Sequence, residues 1–117
     1  MVQDFKKLEI WKRSIKFAID MYKLTANYPK CEMYNLISQI RRASTSISTN
    51  IAEGCGKRTK KDFIKFLYQA LGSTKEIESL LYLSKELSYL NHLTYDVLLS
   101  ELNQISKMLY RFIDVIG

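Results

Sequence analysis

Few residues of this 117-residue chain have the chemical character of a catalytic or metal site, and those few are scattered along it. Cys31, Cys55 and the single histidine, His92, provide neither a Cys–His catalytic pair nor the ligand spacing of a zinc site. Glu76 and Glu78 are two positions apart, which puts them on different faces of a helix, and no Glu-x-x-His motif of the di-iron bundles occurs. The sequence therefore predicts no enzyme, no catalytic residue, no metal and no cofactor.

Basic side chains are the stronger functional candidates, because the formal charge of +6 is concentrated in the first half of the chain. Residues 1–58 carry 11 Lys and Arg against five Asp and Glu. Six cations form the candidate nucleic-acid-binding set: Arg41, Arg42, Lys57, Arg58, Lys60 and Lys61. The last four, here called the basic turn, flank Thr59, which begins a helix whose free N–H groups also favour anions. The alternative is that this charge only keeps the protein soluble.

The elements that position these residues are predicted to be helices alone. Four Gly, one Pro and the absence of alternating strand-length segments favour an all-α chain. Helices are expected over about residues 5–26, 32–55, 59–90 and 94–116. The short connections between them make neighbours antiparallel, so residues 1–117 are predicted to form one up-down-up-down four-helix bundle. No apolar run reaches the roughly 18 residues of a membrane span and no signal peptide precedes the first helix, so we expect a cytoplasmic protein without membrane contact.

Apolar periodicity assigns a candidate core line to each terminal helix. In the first helix the line steps by three and four: Leu8, Trp11, Ile15, Ala18/Ile19 and Tyr22. In the last helix Thr94 is the expected N-cap, and the line has the spacing of a coiled-coil seam: Leu98, Leu102, Ile105, Leu109, Phe112 and Ile116. The third helix, capped by Thr59, is apolar around more than half of its circumference, which is too wide a surface for burial on one side.

The segment RRASTSISTNIAEG, residues 41–54, resembles a loop in composition but keeps a helical register. Four apolar side chains lie within about 40° of one direction at 100° per residue: Leu36, Ile40, Ile47 and Ile51. A helix ending at Gly54 and Gly56 is therefore expected. Small residues on its other side and in the middle of the third helix predict a close subunit or helix interface: Thr45, Ser48, Thr49, Ala52, Ala70, Gly72 and Ser73. A structural polar role is expected for Gln39, Asn50 and Glu53, because polar groups at the edge of a core fix helix register when they are hydrogen-bonded.

Five motifs occur in order along most of the chain. They are Trp11, Tyr28-Pro29 with Glu32, the Gln39–Ala43 segment QIRRA, the Ser46–Gly54 segment SISTNIAEG and the Ala70–Glu78 segment ALGSTKEIE. Together they resemble the four-helix bundle family of 23S rRNA-intervening sequence proteins, which are encoded within insertions in bacterial large-subunit rRNA genes. The accessory variability determinant of diversity-generating retroelements is a relative of that family.

The resemblance implies an antiparallel four-helix bundle that assembles as a homopentameric barrel. The retroelement relatives work with a reverse transcriptase through a basic, nucleic-acid-binding surface, whereas the link of the ribosomal-insertion members to RNA is genomic and brings no catalytic activity. A reverse transcriptase is therefore one partner that the resemblance raises for this chain.

The function expected from residues and resemblance together is that of a non-enzymatic homo-oligomer. It would bind structured RNA, or RNA and DNA with RNA favoured, through the basic turn repeated around one rim of the assembly. The alternative is a helical protein–protein adaptor without a nucleic-acid role. Arg41 and Arg42 have an alternative of their own, since they are also placed to pair with an acidic side chain of a neighbouring subunit, at Glu53, Glu76 or Glu78.

Overall fold

The computed structural model describes residues 4–117, and this range contains four α-helices and no β-strand. The helices are α1 (Glu9–Thr25), α2 (Ser38–Cys55), α3 (Lys60–Glu86) and α4 (His92–Ile116). A 3₁₀ turn, Phe5–Lys7, precedes α1, and a second one, Lys30–Glu32, leads into a π-helical segment, Met33–Ile37, that continues as α2. The prediction of an all-α fold is confirmed. No helix within residues 4–117 is long and apolar enough to cross a bilayer.

Each helix packs against the next one in the chain, and α1 also contacts α4. The predicted apolar line of α2 is buried, since Leu36, Ile40, Ile47 and Ile51 are at most 2% exposed. The predicted line of α4 is also right. Two of its members, Leu98 and Phe112, are half-buried, and the other four are buried: Leu102, Ile105, Leu109 and Ile116. Removal of these side chains from water is the main contribution to the stability of the bundle.

The predicted core line of α1 is only partly right: Ala18 is buried and Leu8 and Trp11 pack against the core, but most of the buried side chains lie on another face. The side chains that α1 buries step along a different direction, about 110° away at 100° per residue: Ile10, Ser14, Phe17, Met21 and Thr25, with Ala18 beside them. Ile19 and Tyr22, from the predicted line, are 49% and 46% exposed. Two of the buried positions are hydroxyl residues whose Oγ atoms donate to their own helix, Ser14 to Trp11 O and Thr25 to Met21 O, both at 2.7 Å. Because these donors are satisfied, a polar residue occupies the core face without the cost of an unpaired group.

The ends of α3 and α4 also differ from their predicted positions. Thr59 does cap α3, since its Oγ1 accepts from Asp62 N at 3.1 Å. However, α3 stops at Glu86 rather than near Leu90, because Ser88 takes a left-handed backbone conformation with φ of 63°. Ser88 N then bonds Lys85 O and Tyr89 N bonds Ser84 O, each at 2.9 Å, which are the two bonds of a Schellman motif. The next helix begins earlier than expected because Asn91, not Thr94, is its N-cap.

Three polar contacts between distant parts of the chain tie the helices together. Arg13 of α1 makes a two-pronged ion pair with Glu101 of α4, with Nε–Oε1 and Nη2–Oε2 distances of 3.2 and 3.1 Å. Ser106 Oγ of α4 donates to Thr74 Oγ1 of α3 at 3.1 Å in a buried position. Tyr89 Oη, just after α3, donates to Glu32 Oε2 before α2 at 2.9 Å. These directional contacts add specificity to a core whose apolar packing is not directional.

Candidate nucleic-acid interface

The basic turn lies in the short connection between α2 and α3, and Gly54 allows that connection to be tight. A Cβ on Gly54 would lie 2.9 Å from Phe63 Cδ1 and 3.2 Å from Phe66 Cβ, so the end of α2 touches the start of α3 where Gly54 has no side chain. Gly54 is thus inside α2, which continues to Cys55, and it is a close-approach residue rather than the predicted helix stop. Gly56 forms the C-cap with an ordinary right-handed φ of −86°.

The four cations of the basic turn face solvent. Arg58, Lys60 and Lys61 are exposed, and Lys57 is half-buried with its Nζ 4.9 Å from the centre of the Phe66 ring. Within residues 4–117, none of the four comes within 4.0 Å of a carboxylate oxygen. Because α3 begins at Lys60, the positive end of its helix dipole adds to the same surface. The arrangement offers several unneutralised donors to a polyanion.

Arg41 and Arg42 are not part of this surface, although they belong to the same candidate set. They lie about four turns earlier on α2, some 20 Å away at 1.5 Å per residue. Arg41 is held by the end of α1: its Nε donates to Thr25 Oγ1 at 2.9 Å, its Nη2 donates to Tyr22 O at 3.3 Å, and its guanidinium stands 4.7 Å from the centre of the Tyr22 ring. Arg42 is exposed. Within one chain, Arg41 therefore bonds to α1, not to the acidic residues considered as its partners.

The predicted small-residue interface divides between the inside and the outside of the chain. Ser48, Ala70 and Ser73 are buried within the single chain, whereas Thr45 and Ala52 are half-buried. Thr49 and Gly72 are exposed, and a Cβ on Gly72 would meet no atom within 4 Å. Thr49 and Gly72 are thus free for a contact with another molecule. The small size of Ser48, Ala70 and Ser73 is explained by packing within the bundle.

The contact between α2 and α3 includes a chain of hydroxyl and amide groups. Ser46 Oγ and Ser73 Oγ are 2.9 Å apart across the two helices. Asn50 Nδ2 donates to Ser46 O at 2.9 Å and to Ser46 Oγ at 3.1 Å, so Asn50 is hydrogen-bonded within this chain of polar groups. Gln39 lies outside that network and donates to Asn35 Oδ1 at 2.7 Å, and Glu53 is exposed. Ser46 was missed as a contact residue, although its position one turn before Asn50 gave the signal.

The remaining chemically active side chains lie apart from one another. His92 Nε2 is 3.4 Å from Asp96 Oδ2 on the surface at the start of α4. Cys31 is exposed and Cys55 is buried, and burial raises the pKa of the Cys55 thiol because a thiolate there would lose its hydration. Between residues 4 and 117, no three His, Cys, Asp or Glu side chains are grouped as metal ligands would be.

Comparisons with known proteins place this architecture in a family. The sequence profile of the 23S rRNA-intervening sequence protein family matches residues 6–111, and the chain belongs to that family. A solved structure of a protein of unknown function from the S23 ribosomal protein family of Bacteroides thetaiotaomicron VPI-5482 superposes with a TM-score of 0.79. It is 29% identical and covers 89% of this chain and 97% of its own. A search of curated proteins gave no match. Neither the family name nor that of the structural neighbour denotes an enzyme.

Proposed function

We propose that this protein is a non-enzymatic, homo-oligomeric scaffold of the bacterial cytoplasm that binds structured RNA through the basic turn. The observation that carries the proposal is the group of four cations at the N-terminal end of α3, three exposed and one half-buried, with none paired with a carboxylate in the described chain. Phosphates are bound by such donors mainly through release of counterions, and this makes the affinity depend steeply on salt. RNA is favoured over DNA because the family is named for its genomic link to rRNA.

The proposed assembly is an antiparallel up-down-up-down bundle repeated as a ring of five subunits. Support comes from the large apolar side chains that a single chain leaves in water on α1, α3 and α4, among them Ile19, Tyr68, Leu83 and Val97. Contact with other subunits would remove these side chains from water. A ring also repeats the basic turn, so contacts that are modest in one subunit act together on one RNA.

Charge reversal of the basic turn tests the proposal. The variant carries Glu at Lys57, Arg58, Lys60 and Lys61, and its matched control carries Glu at four exposed lysines elsewhere: Lys7, Lys12, Lys23 and Lys107. Both variants change the net charge equally. Fluorescence anisotropy with a labelled blunt RNA duplex should show binding abolished in the first and weakened far less in the second, with the oligomer mass from light scattering unchanged. Equal loss in both variants would show that net charge, not this site, holds the RNA.

A second candidate function is that of a helical protein–protein adaptor. The observation in its favour is the exposure of Leu93, Val97 and Val115 on α4, at 74%, 63% and 78%. These three side chains lie on one side of the helix, because they are four and 18 residues apart. If the wild-type protein binds no RNA even at low salt, the charge serves solubility and this adaptor role becomes the better account.

A further inference from the structure

A groove between the end of α1 and the entry to α2 combines aromatic rings, an apolar floor and two arginines. It has a volume of about 460 Å³ and is lined by Tyr22, Met33, Tyr34, Ile37, Ser38, Arg41, Arg42 and Thr45. Arginine is the only charged residue type in this lining, so the groove is positively charged. The basic turn lies about four helical turns away, so this is a separate site.

Tyr34 is the feature of the groove that the fold does not explain. Its side chain is 95% exposed, more than any other large apolar or aromatic residue within residues 4–117. It lies in the π-helical segment Met33–Ile37, which buries Leu36 and Ile37 but leaves Met33 42% exposed beside Tyr34. Segments of π-helix are frequent at functional sites. A ring left in water in this way offers a flat surface on which another flat group can stack.

The two arginines of the groove have different roles. Arg41 is fixed in place by its bonds to Thr25 Oγ1 and Tyr22 O and by its contact with the Tyr22 ring, so it forms a preorganised positive wall. Arg42 is exposed, and it has no carboxylate within 4.0 Å in the described part of the chain. Its guanidinium is free to bind a phosphate with two parallel hydrogen bonds.

We propose that this groove binds an unpaired nucleotide of a single-stranded segment, with the base stacked on Tyr34 and its phosphate paired with Arg42. The proposal rests on the nucleic-acid binding put forward above and assigns it a second site with a different substrate class. A duplex keeps its bases stacked on one another, whereas an unpaired base has a free face for an aromatic ring and a phosphate for a cation. The protein would then hold the paired part of an RNA at the basic turn and an adjoining single strand in the groove.

Two double variants test this site. The first, Tyr34→Ala/Arg42→Gln, removes the ring and the phosphate ligand. The matched control, Tyr110→Ala/Arg111→Gln, removes the same residue types from an exposed part of α4 with the same change in charge. The probes are a ten-nucleotide single strand containing 5-iodouridine and a blunt RNA duplex. We expect the first variant to bind the single strand about tenfold more weakly than the control does, because stacking on one ring contributes about 1–3 kcal/mol per base. Both variants should bind the duplex equally, and the photocross-link of wild-type protein should fall on Tyr34.

Several results would overturn the inference. Equal single-strand affinity in the two double variants would do so, as would a cross-link located elsewhere. A fall in oligomer mass for Tyr34→Ala/Arg42→Gln would identify the groove as a contact between copies of the chain instead. The two proposals fail separately: charge reversal of the basic turn should abolish duplex binding but leave the cross-link at Tyr34. Loss of that cross-link in the reversed variant would show that the groove is not an independent site.

Discussion

Replacement of Gly54 by alanine is the sharpest test of the packing described for α2 and α3. Alanine is the better helix former, and in an unhindered helix interior the change would stabilise the protein by about 1 kcal/mol. At Gly54, however, the new methyl group would lie 2.9 Å from Phe63 Cδ1 and 3.2 Å from Phe66 Cβ. The sign of the effect therefore depends on whether these two neighbours can move.

Neither neighbour moves easily. Phe63 is 1% exposed and its ring is held edge-to-face by Phe112 with the ring centres 5.5 Å apart. The atom of Phe66 in contact is Cβ, which moves only with the backbone of α3. Overpacking of this kind costs about 1–3 kcal/mol, so after the gain in helix propensity we expect a net destabilisation of about 1 kcal/mol. For a domain of this size that lowers the melting temperature by about 4 °C.

Gly72→Ala is the matched control, since a Cβ there meets no atom within 4 Å of the single chain. We expect it to raise stability by about 1 kcal/mol, so that the two alanine variants differ by about 2 kcal/mol. Urea denaturation followed by circular dichroism measures both, with light scattering to confirm that the oligomer mass is unchanged. A Gly54→Ala protein at least as stable as wild type would refute the close approach of α2 to α3.

The other predictions concern helix ends, polar contacts and pH. Ser88→Gly should stabilise the protein by about 1 kcal/mol in urea denaturation, because glycine removes the strain of the left-handed φ of 63°. Ser73→Ala should destabilise it by about 1 kcal/mol in the same assay, because the 2.9 Å bond to Ser46 is lost; no change would mean that water replaces the hydroxyl. Tyr28→Phe should leave stability unchanged or raise it, because the buried Tyr28 hydroxyl has no hydrogen-bond partner within residues 4–117. The pKa of Tyr28 is raised because it is buried, and that of Tyr89 is raised because it donates a hydrogen bond to Glu32. The stability that these raised pKa values contribute is complete below about pH 10 and is lost as the pH rises through the folded-state pKa values. Between about pH 9 and 11 the wild-type protein should therefore lose more stability than Tyr28→Phe/Tyr89→Phe. Parallel curves of unfolding free energy against pH for the two proteins would contradict the assignment.

How far the fold follows from the sequence depends on how many apolar faces a helix has. In α4 every position of the seam from Leu98 to Ile116 is apolar, so periodicity identified the buried line. In α1 two lines have helical spacing, and the buried one contains Ser14 and Thr25. Their hydroxyl groups become acceptable in the core only through hydrogen bonds to their own helix, and a hydropathy pattern does not count those bonds.

The candidate site shows the same division between local and long-range information. The exposed cations of the basic turn follow from local signals, namely a capping threonine and a run of lysines between two helices. The attachment of Arg41 to Thr25, 16 residues away, depends on how α1 and α2 pack and has no sequence signature. Gly54 was interpreted as a helix stop because glycine is common after helices, whereas the structure uses it for the approach of Phe63.

The salt dependence of RNA binding tests the central proposal most directly. Anisotropy of the wild-type protein with a labelled RNA hairpin would be measured at about 50 and 200 mM salt. If the four cations of one basic turn each contact a phosphate, the affinity should fall on the order of 100-fold across this range, and more if several subunits bind the same RNA. Absence of binding at the lower salt concentration, or an affinity that changes less than about threefold, would contradict a phosphate-binding role for the basic turn.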